Sequence, residues 1–396
     1  MQSLYIRLTV SAAGSSMFPN NSIIYYLLGL MNTKVCGALL KIINPTLNYG
    51  AGSVSLLPII IRDDKRDEIT ALVQENITLS KTDWDSSETS WDFQINPLIR
   101  ITRENSLTLI SDSFSLWEDE CTNRFTRLKS NEEQLNRIFI DIYGLNDELP
   151  PEVPDKDITL HRADRQKDIK SLLSYAVGCM FGRYSLDYPG LIYAGGEWDM
   201  TRYNTFQPCR HEILALNDED YFDEDIPNIF AKFVEAVWGK RDLEENLRFI
   251  ADSLGGNSTS RDDIRKYFAD GFYSDHMRTY QKRPIYWQFD SGRRNGFKCL
   301  MYIHRYRTDT VARIRVDYLH PKQRRYLMEI GDIEALGGNA GRSELSRLNV
   351  LRAKIEELHG YEEKIHHLAD SMIRIDLDDG VKHNYGKFEE VLSKIK

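Results

Sequence analysis

Residues 278–325 read RTYQKRPIYWQFDSGRRNGFKCLMYIHRYRTDTVARIRVDYLHPKQRR, and the fold class turns on this stretch. Ile285-Tyr-Trp-Gln-Phe and Lys298-Cys-Leu-Met-Tyr-Ile-His-Arg-Tyr are aromatic and β-branched, and a polar turn, Asp290-Ser-Gly-Arg-Arg-Asn-Gly, joins them. That pattern predicts a β-hairpin. Arg313-Ile-Arg-Val-Asp-Tyr-Leu alternates basic with apolar residues at period two, which predicts a further strand with Arg313 and Arg315 on one face. The stretch holds thirteen Lys or Arg against three Asp, a balance of +10 in a chain of formal charge -9, which leaves -19 elsewhere. Tyr280, Tyr286, Trp287, Phe289, Phe297, Tyr302, Tyr306 and Tyr318 sit among the cations. Aromatic faces stack on bases, and guanidinium groups pair with phosphates or guanine edges, so the combination points to nucleic acid. Solvated surface is the ordinary role of such charges and stands beside that reading.

The chain's 396 residues, with 41% apolar content, suffice for two or three domains with buried cores. The expected class is α+β and multi-domain, in a cytoplasmic protein. Five cysteines, widely spaced and without Cys-x-x-Cys or Cys/His clusters, predict reduced buried thiols and no metal site. The most apolar region, 23–43, predicts an amphipathic helix interrupted near Asn32 and too polar there for a membrane span. Helices are also predicted over 62–79, 116–145, 162–183, 226–238, 242–254 and 260–268. The acidic run 217–225 lacks the register of a calcium loop and reads as a helix entry. Apolar positions from 345 to 375, spaced by three and four, predict a long helix braced against the helix over 116–145. His359, His366 and His367 on it are read as surface residues.

Tyr25-Tyr-Leu-Leu-Gly-Leu-Met-Asn-Thr-Lys, then Lys41-Ile-Ile-Asn-Pro-Thr-Leu-Asn-Tyr-Gly-Ala-Gly and Leu56-Leu-Pro-Ile, resemble the TaqI-like target-recognition domains of adenine-specific DNA methyltransferases. Leu79-Ser-Lys-Thr-Asp-Trp-Asp-Ser-Ser-Glu-Thr-Ser-Trp-Asp-Phe narrows the likeness to the PglX family of BREX phage-defence systems. Residues 131–149, Tyr175 to Leu186, Tyr193-Ala-Gly-Gly-Glu-Trp-Asp, the basic stretch and Ile375-Asp-Leu-Asp-Asp-Gly-Val-Lys-His-Asn-Tyr agree, so the likeness covers nearly the whole chain. It implies a complete enzyme that moves a methyl group from S-adenosylmethionine to an adenine amine in duplex DNA.

Such enzymes hold the flipped adenine with an Asn/Asp-Pro-Pro-Tyr/Phe tetrapeptide and bind the cofactor on a glycine-rich turn. The sequence has neither: its one Pro-Pro, Pro150-Pro151, follows Leu149, and Gly337-Gly-Asn-Ala-Gly lacks dinucleotide spacing. The expectation is a carboxy-terminal part that binds double-stranded DNA, holds no cofactor and does not methylate alone. Four segments are expected: a target-recognition module at 1–115, truncated at its start; a helical spacer at 116–275; a basic β-rich region at 276–335; and a long helix with a tail at 336–396. Candidate DNA contacts are Arg293, Arg294, Lys298, Arg305 and Arg307, with Arg313, Arg315, Lys322, Arg324 and Arg325 as phosphate contacts. Asn48, Tyr49 and Ser53 are candidates for base edges because the matching family loop faces DNA. A module parted from its catalytic domain is expected to expose apolar surface at 23–43. Two alternatives remain open: a module binding other BREX proteins or a DNA-mimicking phage inhibitor, and a gene fragment without a role.

Overall fold

The computed structural model describes residues 23–45, 50–216 and 225–395. Asn48 and Tyr49, and the acidic run apart from Asp225, lie outside them. The described residues are mostly helical with one three-stranded antiparallel sheet, so the α+β class holds. It divides into two compact units that cut across the four expected segments. One holds the described residues up to Ser87 with Ser115–Ala163, and the other holds Glu88–Phe114 with those from Asp164 onward.

In the first unit, α1 (Ile24–Met31) and α2 (Lys34–Ile43) occupy the interrupted helix. Thr33 breaks it by capping α2, its hydroxyl accepting from Cys36 N at 3.4 Å, and the two axes diverge by 72°. After the short α3 (Ala51–Ser55) comes α4 (Arg66–Asp85), and the unit is completed by α6 (Ile110–Tyr143) from Ser115 onward; α5 (Pro97–Asn105), between them in sequence, belongs to the second unit. Tyr26, Leu30, Val35, Ile69, Val73, Leu135 and Phe139 form this unit's core. Gly29 lets α1 close on α4, where a Cβ would stand 3.1 Å from both Ile69 Cγ2 and Val73 Cγ2. The apolar surface expected on 23–43 lies mainly elsewhere. Tyr26, Leu27, Leu30, Val35, Cys36 and Leu40 are buried, whereas Ile42, Leu56, Ile59, Ile60 and Ile61 are exposed. Among the described residues no single helix is long and apolar enough to cross a membrane.

In the second unit, Asn96 caps α5, accepting from Leu98 N at 3.1 Å, with Pro97 in the first turn. Then follow α7 (Arg165–Met180), β1 (Ile213–Leu216), α8 (Ile226–Trp238), α9 (Leu243–Ser253), α10 (Ser260–Lys266) and α11 (Phe272–Thr279), the last two joined through a π-turn at Tyr267–Gly271. The hairpin forms as predicted, as β2 (Tyr286–Asp290) and β3 (Lys298–Tyr302), with Tyr286 opposite Tyr302 and Asp290 opposite Lys298. Its other neighbour is β1, a strand that the sequence does not announce; the order is β1-β3-β2.

Both faces of the hairpin are covered. Trp287, Phe289, Cys299 and Met301 join a core with Tyr326, Leu351, Leu358, Tyr361 and Phe388. On the other face Tyr286 stacks on Phe181 at 5.1 Å and on His276 at 4.7 Å. The alternating Arg313–Leu319 run is not a strand. It is helical, in α12 (Thr310–Arg313) and a π-turn at Ile314–Leu319, and leads into α13 (His320–Ala335). Val311, Ile314 and Leu319 are buried along it, and their spacings of three and five on one side outweigh the basic alternation. The long helix is α14 (Arg342–Asp370), followed by α15 (Val381–Gly386). Its apolar stripe is covered by α12, α13 and the sheet, a different partner from the helix over 116–145. The cysteines are free thiols, and among the described residues no His, Cys, Asp and Glu cluster could hold a metal.

Candidate nucleic-acid interface

The structure divides the ten cationic candidates of the basic stretch into two groups of five. Lys298, Arg305, Arg313, Arg315 and Lys322 are consumed by the fold. Lys298 Nζ donates to the Ala269 carbonyl of the π-turn at 2.9 Å and lies 3.5 Å from Asp270. A π-turn leaves carbonyls out of the regular i→i−4 ladder, and this lysine satisfies one of them. Arg305 donates to the carbonyls of Phe181, Cys209 and Arg210 at 3.3, 3.1 and 3.1 Å, and its guanidinium lies 4.1 Å from the Trp198 ring centre. Arg313 pairs with Asp309 at 2.7 Å and Glu212 at 3.5 Å, and meets His211 Nδ1 at 2.8 Å. Burial, and then the charge of Arg313, hold the His211 pKa below its usual value. Arg315 pairs with Glu362 at 2.6 Å. Lys322 is 1% exposed and packs over Tyr326. None of the five presents its charge to an incoming polyanion.

The expected stacking platform is also internal. Tyr286, Trp287, Phe289, Phe297 and Tyr302 are buried, and Tyr306 is half-buried with its hydroxyl on the Ile373 carbonyl at 2.7 Å. A strand buried on both faces reads as a continuous aromatic and apolar run, and such residues are core before they are a binding surface.

Arg293, Arg294, Arg307, Arg324 and Arg325 are exposed. Arg307 lies 3.7 Å from Asp309, while the other four side chains form no ion pair among the described residues. Arg293 and Arg294 sit at the tip of the hairpin. The backbone there has the shape of an anion cradle, and the protein fills it with its own carboxylate. Glu357 of α14 accepts from Ser291 Oγ at 2.7 Å, Arg294 N at 2.8 Å and Gly296 N at 3.1 Å. Gly292, at φ +131°, and Gly296 allow the close approach, since a Cβ on either would stand 2.9 Å from Glu357 Oε2 or Leu358 Cδ2. Tyr326 on α13 donates to the Gly296 carbonyl at 3.2 Å, while Arg324, two residues earlier on the helix, lines a separate cavity with His320, His359, Glu362 and Glu363. Two exposed arginines, Arg293 and Arg294, thus stand on a rigid hairpin tip, and Arg324 and Arg325 are exposed on α13.

Ser53, the one described candidate of the recognition loop, is half-buried on α3 and accepts from Asn44 Nδ2 at 3.3 Å. Sequence reasoning missed Glu357, and no local signal could have found it, because it lies 61 to 66 residues from its donors.

No family model matches the chain. It is 41% identical over 397 residues to the adenine-specific methyltransferase PglX of Lacticaseibacillus casei (strain Zhang), an alignment covering 97% of this chain and 33% of that protein. It is 36% identical over 423 residues to the adenine-specific methyltransferase BrxX of Escherichia coli O9:H4 (strain HS), covering 97% of this chain and 34% of that protein. The chain spans about a third of the length of these curated relatives. By sequence, nearly the whole chain is PglX-like, matching about a third of each of these adenine-specific methyltransferases.

Proposed function

We propose that this chain is the DNA-recognition part of a site-specific adenine methyltransferase that marks host DNA in phage defence. It grips duplex DNA and leaves transfer from S-adenosylmethionine to sequence that it does not contain. The observation that carries this reading is the match to PglX and BrxX over 97% of a chain lacking the Asn/Asp-Pro-Pro-Tyr/Phe tetrapeptide. Arg293 and Arg294 clamp phosphates at the hairpin tip, with the exposed Arg324 and Arg325 of α13 as further phosphate contacts. Their charges are unpaired and their backbone is already fixed, so little ordering is lost on binding.

The test is fluorescence anisotropy of labelled random duplex DNA with the 396-residue chain at several salt concentrations. Non-specific binding of this kind has a Kd of about 1–100 μM near physiological salt. Arg293→Ala/Arg294→Ala removes two phosphate contacts and should flatten the log–log salt slope by about 1.8, at roughly 0.9 per contact. Arg313→Ala/Arg315→Ala is the wrong probe, since it strips partners from Glu212, Asp309 and Glu362 inside the fold. A folded wild-type chain that binds no duplex at low salt would refute the proposal and favour a protein partner for the same arginines.

A further inference from the structure

A cavity of about 510 Å³ in the second unit is lined by Glu88, Trp91, Phe93, Arg183, Tyr184 and Tyr280, among others. It draws on two of the sequence blocks that carry the family likeness, 79–93 and 175–186, and the phosphate-clamping surface uses neither. Its volume falls in the range of small-molecule sites.

The polar groups on its lining are unusual for packing. Glu88 is 8% exposed, and its Oε1 accepts from Ser174 Oγ at 2.6 Å. Burial pushes its carboxyl pKa up, against the opposing hydrogen bond from Ser174 and the charge of Arg183. Arg183 leaves α7 through Gly182, at φ +74°, and donates to the Tyr184 and Tyr302 hydroxyls at 3.2 and 3.4 Å. Neither Glu88 nor Arg183 forms an ion pair among the described residues, although enclosed charges are ordinarily paired. Among the described residues the buried Tyr280 hydroxyl has no hydrogen-bond partner. The aromatic wall is held rigid: Tyr184 stacks on Tyr175 at 5.0 Å, and Phe93 meets it edge-on at 5.5 Å. Trp91 is 96% exposed, an indole standing in water at the edge of a lined cavity.

We propose that this cavity receives one unpaired guanine of the bound nucleic acid, its O6 and N7 on Arg183, its N1 and N2 donors on Glu88, and Trp91 stacked on its face. A guanidinium fork matches the O6/N7 acceptor pair, and a carboxylate matches two adjacent N–H donors. Guanine alone among the DNA bases offers both pairs. In a duplex the N1 donor is engaged by cytosine, so Glu88 reads it only from a base outside the stack. The inference rests on the nucleic-acid reading above and adds to it a base-specific site away from the arginine clamp.

The test titrates the full chain with oligothymidylate and with the same strand bearing one central guanine or one central adenine. Tryptophan fluorescence and anisotropy are followed for wild type, Trp91→Ala and Glu88→Gln. The guanine strand should bind at least about fivefold more tightly than the others. Trp91→Ala, an exposed position whose loss leaves the fold intact, should weaken that strand by about fivefold or more. Glu88→Gln keeps an acceptor for Ser174 and should erase the guanine preference with unchanged thermal melting. Equal binding of all three strands, or a Trp91→Ala chain that behaves as wild type, overturns the assignment. Duplex binding that persists alongside either result leaves the DNA-recognition reading standing. A guanine preference that depends on Trp91 in a chain binding no duplex would support the cavity and sink that reading instead.

Discussion

Replacing Glu357 tests whether the hairpin tip is held by α14 or by the hairpin itself. The carboxylate accepts three hydrogen bonds, from Ser291 Oγ, Arg294 N and Gly296 N, at 2.7, 2.8 and 3.1 Å. Ser291 relays the restraint, because its oxygen also accepts from Phe297 N at 2.9 Å. Bonds to a charged acceptor are worth more than neutral ones, but residues 292–295 are exposed and water replaces part of what is lost. At under about 1 kcal/mol net for each bond, Glu357→Ala removes roughly 2 kcal/mol of local stability. If the turn opens independently of the core, that is about a 30-fold rise in exchange at Arg294 and Gly296. Glu357→Gln should act in the same direction, since its amide presents donors to donors. Hydrogen exchange resolved to single amides measures this, with Cys299 and Leu300 in the sheet as internal references. Unchanged exchange at Arg294 and Gly296 in Glu357→Ala would refute the claim that α14 rigidifies the tip.

Three further outcomes follow from buried polar contacts. Arg265→Met should cost about 3–5 kcal/mol in denaturant unfolding, because it leaves the fully buried Asp225 without its bonded arginine partner; a loss under about 1 kcal/mol would show that Asp225 does not depend on it. Asn246→Ala should cost roughly 2 kcal/mol, since Asn246, 1% exposed, accepts from Ile110 N and donates to the Thr108 carbonyl, both at 2.8 Å. His276 Nε2 accepts from Ile285 N and Tyr286 N at 3.1 and 3.2 Å, and burial holds its pKa down to about 3. The unfolded chain takes up that proton below about pH 6.5 and the folded chain does not, so the stability is complete above 6.5 and is lost as pH falls toward 3. Between pH 7 and 5 wild type should lose roughly 2 kcal/mol more than His276→Gln, at about 1.4 kcal/mol per unit below 6.5; equal losses would contradict it.

The elements legible in the sequence are those with local punctuation. Asp225-Ile-Pro carries an N-cap and a first-turn proline, and α8 begins at Ile226 as read. The stripe at 348, 351, 355, 358, 361 and 365 is buried in α14, but the helix stops at Asp370 and Met372 turns to φ +43°, so its last predicted turn is lost. β1 was not legible because four residues have no periodicity to detect, and its partner β3 lies more than eighty positions later. Arg313 to Leu319 was misread because seven residues fit a period of two and a helical period almost equally. Burial of Ile314 and Leu319 decides between them, and burial is a property of the assembled unit.

The same distinction governs the candidate site. A formal +10 over residues 278–325 is a statement about neighbours in sequence, while a polyanion meets neighbours in space. Carboxylates from outside the stretch answer several of its cations: Asp275 with Arg278, Asp270 with Lys298, Glu212 with Arg313 and Glu362 with Arg315. Backbone carbonyls between residues 181 and 210 take Arg305. These partners lie from three to more than a hundred positions away, so no window along the chain could have discounted them. Among the described residues the fold leaves Arg293 and Arg294 at the hairpin tip without an ion pair, and it fixes the backbone of that tip with Glu357 instead of leaving it loose. A surface that serves only for solubility needs no such anchoring, whereas charges that must meet phosphates at fixed spacing gain from it.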